Sequence, residues 1–137
     1  MTWYYKNKPF ISDMIENNVG FVYEITDMRN NKIYIGKKGL RSRRKLPPLK
    51  GKNRRRIKIV ETDWQTYYGS SEQVKALVEE FGPDKFYRKI IRLCKTKSEM
   101  SYYEAKRQFE TDCLLETNKY YNEFIGCKIN RRHLIRI

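Results

Sequence analysis

Tyr23 and Tyr34 lie eleven residues apart in two short apolar runs, and a dense block of arginine and lysine follows directly. A phenol can hold or orient a proton, and a guanidinium can grip phosphate oxygens in a fixed fork. Together these residue types point to chemistry on a nucleic acid.

The tyrosines need elements to carry them. Residues 21–25 and 32–35 are β-rich, and Thr26-Asp27-Met28-Arg29-Asn30-Asn31 between them favours a turn. A β-hairpin is therefore predicted. Side chains alternate along a strand, so Phe21, Tyr23 and Ile25 share one face while Tyr34 stands opposite Ile33 and Ile35 on its own strand. Such a hairpin brings the two phenols together.

Thirty basic against 16 acidic residues give a formal net charge of +14 in 137 residues. That surplus favours a polyanionic partner through counterion release, with duplex or branched DNA the leading class. The charge is concentrated: residues 37–58 hold 12 basic residues and no acidic one. Lys37, Lys38, Arg41, Arg43, Arg54, Arg55 and Arg56 are the predicted nucleic-acid contacts. Pro47-Pro48 and Gly51 break any continuous amphipathic helix there, which argues against a membrane surface. No stretch has the length of a membrane span or the apolar core of a secretory signal, so a cytoplasmic protein is expected. Cys94, Cys113 and Cys127 are odd in number and widely spaced, which fits buried thiols better than a disulfide framework or a zinc site.

The length suits one domain over residues 1–137, with a core at about 20–122, a basic insertion at 37–58 and a basic C-terminal tail. Ile11, Met14 and Ile15 suggest a short leading helix over residues 10–17. The basic insertion is expected to combine a short helix with a mobile loop. Trp64, Tyr67 and Tyr68 follow, either as packing residues or as platforms for bases. Ser70 and Gln73 form a possible capping box before a helix with Val74, Leu77, Val78 and Phe81, closed by Gly82-Pro83. Residues 85–94 read as a strand, and Thr96-Lys97-Ser98-Glu99 opens a second helix reaching about Glu116. Residues 124–137, with Arg131-Arg132-His133 and Arg136, add a strand or a basic tail. The expected fold is α+β (α/β): a small three-stranded mixed or antiparallel sheet flanked by helices, in the order β-β-α-β-α.

Tyr34-Ile35-Gly36 is an intact second motif of the GIY-YIG endonucleases, and Phe21-Val22-Tyr23 resembles the first, with Phe where the family's Gly usually stands. The resemblance covers about residues 20–122, with the small phage homing-type members the nearest in kind. It implies helices on one side of the sheet and magnesium- or manganese-dependent hydrolysis of DNA phosphodiesters, in the host cytoplasm if phage-encoded. By the same resemblance Tyr23 is the candidate general base. Its ordinary pKa near 10 requires help, which Lys37 and Lys38 are placed to give. Tyr34 would orient water or phosphate. Arg44 best matches the family's helical arginine, with Arg41 and Arg43 as rivals. Glu104 matches the metal-binding glutamate, with Glu99 and Glu110 as substitutes. Asn122 matches the terminal asparagine. The family's occasional histidine between arginine and glutamate is absent, since His133 is the sole histidine. The alternative function is a catalytically inactive nucleic-acid-binding module that keeps the nuclease fold.

Overall fold

The computed structural model describes residues 2–128 and 130–133. In chain order these contain β1 (Trp3–Tyr5), β2 (Lys8–Phe10), β3 (Gly20–Asp27), β4 (Lys32–Gly39), β5 (Arg41–Leu46), β6 (Arg56–Glu61), α1 (Glu72–Phe81), β7 (Phe86–Cys94) and α2 (Lys97–Glu110). Five strands form one mixed sheet in the order β2-β1-β7-β3-β4, and β5 with β6 forms a separate two-stranded ribbon. Only β1 and β7 run parallel; the other named pairs are antiparallel.

The β3–β4 hairpin forms as the sequence predicts, and runs further at both ends. Its turn is held by side chains that mimic backbone: Asp27 Oδ1 accepts from the Arg29 amide at 3.0 Å and Asn30 Oδ1 from the Lys32 amide at 3.0 Å. Asn31 takes the left-handed conformation at φ 62°, which an asparagine tolerates. Burial alone would raise the Asp27 carboxyl. Hydrogen bonds from Tyr121 and Arg29 outweigh it and hold the group below its ordinary value.

Strand alternation then sorts the core into two faces. Phe21, Tyr23 and Ile25 pack with Trp3, Phe10, Trp64 and the α1 residues Val74 and Val78. Val22 packs on the other face with Cys94 and Met100 of α2, and Glu24 there receives two bonds from Arg107, at 3.0 and 2.8 Å. Each large apolar side chain so buried contributes about 1.5–3 kcal/mol. The two helices therefore cover opposite faces of the sheet rather than one, a correction to the expected arrangement.

Other expectations are also corrected. In place of a leading helix over residues 10–17 the chain makes the β1–β2 hairpin and a single 3-10 turn, Ser12–Met14. That hairpin turns at Lys6 and Asn7, both with positive φ (50° and 66°), the geometry of a type I′ turn without its usual glycine. β2 is an edge strand, which tolerates Pro9. The sheet gains two strands over the three expected. The basic insertion is the β5–β6 ribbon and its connecting loop, with no helix. The cap of α1 is Ser71, whose hydroxyl accepts from the Val74 amide at 3.3 Å, one residue beyond the expected Ser70. α2 stops at Glu110 rather than Glu116: Thr111 bonds back to the Arg107 carbonyl at 2.9 Å and Asp112 turns to φ 52°. Cys94 and Cys113 are buried thiols as expected, whereas Cys127 is exposed; all three are free.

Residues 119–122 lie along the outer edge of β4. The Ile33 amide donates to the Lys119 carbonyl and the Tyr121 amide to the Ile33 carbonyl, both at 2.9 Å. Beyond them the chain has no strand up to residue 128 and makes one 3-10 turn, Arg131–His133. Arg136 and the rest of the expected tail lie outside the described residues.

Candidate active site at the edge of the sheet

The β3–β4 register sets Tyr23 opposite Gly36 and Ile25 opposite Tyr34, so both phenols stand on the α1 face of neighbouring strands. Their ring centroids are 6.3 Å apart. Tyr23 is fully buried, and its ring lies where a side chain on residue 36 would go: a Cβ built there would sit 2.6 Å from the Tyr23 Cζ. Only glycine leaves that space. Burial first, then the phenols of Tyr67 and Tyr34 and the Glu104 carboxylate, push the Tyr23 hydroxyl well above 10.0. Tyr67 weighs on it from a ring 6.0 Å away, but no aligned hydrogen bond reaches the Tyr23 oxygen. Lys37 and Lys38 do not counter this rise.

Tyr34 is more open. Its hydroxyl shares a 2.9 Å hydrogen bond with Ser70, just before α1. Burial pushes its hydroxyl above the ordinary phenol value, the Ser70 bond opposes that rise, and Tyr67 and Glu104 add to it.

A cleft of ≈570 Å³ opens along the β4 edge. Tyr34, Ser70 and Ser71 line it from the α1 side, Lys37, Glu104 and Gln108 from the α2 side, and Asn122 to Phe124 along the rim. Glu104 projects from the middle of α2 with 14% of its side chain exposed, 3.9 Å from the Lys37 ammonium. Lys37 also donates to the Ser101 hydroxyl at 2.8 Å. Burial raises the Glu104 carboxyl and Lys37 opposes that rise. No pair joins Glu104 to Arg107, because Arg107 is turned to Glu24.

Asn122 binds backbone rather than the cleft's centre. Its Oδ1 accepts from the Ile35 amide at 2.9 Å and its Nδ2 donates to the Ile35 carbonyl at 2.8 Å, continuing the edge ladder with a side-chain amide. Gln108 adds a third bond, to the same carbonyl, at 3.2 Å. These two amides hold the strand between Tyr34 and Gly36, so they act as positioning residues.

Over residues 3–125 the chain matches the family described as "Putative endonuclease segE, GIY-YIG domain". It belongs to this GIY-YIG family. It is also 26% identical over 113 residues to "Putative endonuclease segC" of Enterobacteria phage T4, covering 82% of this chain and 46% of the phage protein. The chain thus spans less than half the length of that relative. No solved structure matches.

In GIY-YIG terms the departure at Phe21 has a packing role. Phe21 is fully buried, edge-on to Trp3 with centroids 4.8 Å apart, and fills core rather than cleft. Arg44 and its rivals Arg41 and Arg43 are exposed on β5, a strand, where a helical arginine was expected. None of the three lines the cleft, and α1 carries no arginine. The cation that does line the cleft is Lys37, expected as a nucleic-acid contact and as a charge favouring the Tyr23 phenolate. Of the glutamates weighed, Glu104 alone lines it. Glu99 caps α2 and sits 3.6 Å from Arg92, and Glu110 pairs with Lys106 at 3.8 Å. Lys38 is bound to Asp63 at 2.6 Å and lies 4.1 Å over the Tyr67 ring. Trp64 is core: it is buried and donates to Glu61 at 2.8 Å, so it is no platform for bases. Arg54 and Arg55 are exposed beside β6.

Three residues escaped the sequence reading. Ser70 was expected only as a cap, Gln108 carried no signal beyond helical position, and Tyr67 gave no sign that it would press on Tyr23.

A single half-buried carboxylate among hydroxyl and amide oxygens suits a hard cation that keeps most of its water and takes phosphate oxygens as further ligands. No group of three or more His, Cys, Asp or Glu side chains gathers as a metal cluster among the described residues. Glu104 could hold such a cation, in a cleft that the exposed Glu72 and Glu123 also line. No described helix is long and apolar enough to cross a membrane.

Proposed function

We propose that this chain is a divalent-metal-dependent endonuclease that hydrolyses phosphodiester bonds in duplex or branched DNA, with magnesium or manganese as the cation. The observation that carries it is the convergence of Glu104, Lys37 and Tyr34 on one cleft at the sheet edge. Such a cation, held by Glu104, would supply positive charge at the phosphate and at the departing oxygen. Lys37 offers a second positive charge for a phosphate oxygen. Tyr34 orients the attacking water or the phosphate through its accessible hydroxyl. Asn122 and Gln108 keep the Tyr34-Ile35-Gly36 strand in register with α2.

Tyr23 serves as the base only if its proton can leave a buried site. Pairing the Glu104 charge with a cation removes one of the influences that raise both phenols. A homing-type activity and the host cytoplasm are parts of the same proposal, and the phage source of the relative supports the second.

A second reading, a DNA-binding module without turnover, is favoured by one observation: the candidate base is sealed in the core without a hydrogen-bond partner. Supercoiled and branched DNA incubated with magnesium, manganese or EDTA separates the two. Nicking that needs the cation and disappears in Glu104→Gln supports the nuclease. Tight, salt-sensitive binding with no cleavage of either substrate selects the binding module.

A further inference from the structure

We propose that the β5–β6 ribbon is the element that reads DNA sequence, laying the face of Arg43, Ile57 and Ile59 into the major groove. This rests on the DNA reading above and assigns recognition to a surface distinct from the cleft.

The register defines the ribbon's two faces. Arg43 pairs with Ile59 and Lys45 with Ile57 on one; Arg44 pairs with Lys58 and Leu46 with Arg56 on the other. Ile57 and Ile59 are 54% and 64% exposed, an unusual cost for two isoleucines side by side. Neither joins a hydrophobic core cluster among the described residues, so a partner on this face would explain them. Residues 41–61 carry ten basic side chains against one acidic, which makes a polyanion the complementary partner and opposes stacking on a second copy.

The ribbon is a fixed arm. Its root is tied by the Thr62 amide to the Leu40 carbonyl at 3.0 Å, the Thr62 hydroxyl to the Gly39 carbonyl at 2.6 Å, Arg41 to the Glu16 carbonyl at 2.7 Å and Ser12 to Glu61 at 3.0 Å. Strands of six residues give a rod roughly 20 Å long, two strands wide. A two-stranded ribbon of that breadth enters the B-DNA major groove, about 12 Å wide, where arginine reads guanine and apolar groups meet thymine methyls. The deep, narrow major groove of duplex RNA does not admit side chains. Arg44, Lys58 and Arg56 on the reverse face are left for phosphates.

The test is selection from a random duplex DNA pool by the full chain in EDTA, with plasmid cleavage in magnesium measured separately. The wild type is expected to enrich a short shared sequence. A triple variant Arg43→Ala, Ile57→Ser, Ile59→Ser should lose that enrichment while keeping affinity for bulk duplex within about threefold. Arg44→Ala with Lys58→Ala should keep the enriched sequence, weaken all duplexes alike and lower the salt slope by about 2. Replacing thymine by uracil in the enriched duplex should reduce its advantage for wild type and leave the triple variant unaffected. No enrichment by wild type, the same enriched sequence in the triple variant, or tighter binding to duplex RNA at matched salt each overturns the proposal. Enrichment without cleavage leaves it standing while the nuclease reading falls; cleavage without enrichment does the reverse. Circular dichroism of each variant confirms the fold, and the single Ile59→Ser variant, with a partial loss of enrichment, serves if the triple does not fold.

Discussion

The Tyr23 phenol lies directly over Gly36 on the neighbouring strand, and the ring occupies the space in which residue 36 would carry a side chain. One motif's tyrosine thus dictates the other motif's glycine. Gly36→Ala should destabilise the fold by about 1–3 kcal/mol through overpacking. Tyr23→Ala in the same chain should recover part of that loss, read from urea unfolding as a non-additive double-mutant cycle. Strict additivity would mean the two residues are not in contact.

The Tyr23 hydroxyl is buried without a hydrogen-bond partner. Its removal in Tyr23→Phe should leave stability unchanged or raise it by about 1 kcal/mol, since an unpaired buried hydroxyl is costly. DNA cleavage should fall in the same variant. A clear loss of stability would show that the hydroxyl is satisfied in solution.

Asn122 closes the backbone of Ile35 with two hydrogen bonds. Asn122→Ala should cost about 1–3 kcal/mol and speed hydrogen exchange at the Ile35 amide, which then has no partner. The Ile35 carbonyl keeps the Gln108 bond. Unchanged exchange would remove Asn122 from this positioning role.

Lys37 and Arg44 should separate by kinetics. Lys37→Ala, in the cleft, should lower the single-turnover rate by about 10²-fold, whereas Arg44→Ala should weaken DNA binding severalfold with little effect on that rate. The opposite pattern would restore Arg44 as the catalytic cation. Because Lys37 lowers the raised Glu104 carboxyl, Lys37→Met should also move the acid limb of cleavage to higher pH.

Burial, with Glu99 adding to it, pushes the Cys94 thiol from 9.0 to about 12. A thiol raised in the folded state leaves stability intact below its unfolded pKa near 9. That stability is then lost as pH climbs toward 12, at up to about 1.4 kcal/mol per pH unit. Tyr23, raised well above 10.0, acts in the same direction at higher pH. Urea midpoints between pH 8 and 10.5 should fall less steeply in Cys94→Ala than in wild type. Parallel slopes would show that the thiol ionises normally in the fold.

Much of the site was legible because its signals are local. The β3–β4 hairpin is written in Asp27 and Asn30, whose side chains close the turn, and in an alternation that sets Tyr23 and Tyr34 on one side. Thr96 and Glu99 mark the start of α2, and so the placing of Glu104 in mid-helix. Arg44 was expected on a helix and lies on a strand because ten clustered charges carry no period, while Ile57, Ile59 and Val60 pair across to β5 only once the chain has folded back. The first strands were missed because Lys6 and Asn7 make a primed turn without glycine, a conformation sequence signals poorly and pairing with β7 stabilises.

By itself the sequence determined the family motifs, the two helices, the basic surplus and the strand alternation, since each depends on neighbours within a few positions. Which lysine faces Glu104, which glutamate reaches the cleft, and that Tyr23 is sealed while Tyr34 is open were decided only by tertiary structure. Those properties depend on burial and on contacts between residues far apart in the chain, such as Lys37 with Ser101 and Ile35 with Asn122. Desolvation exists only where the packed core excludes water.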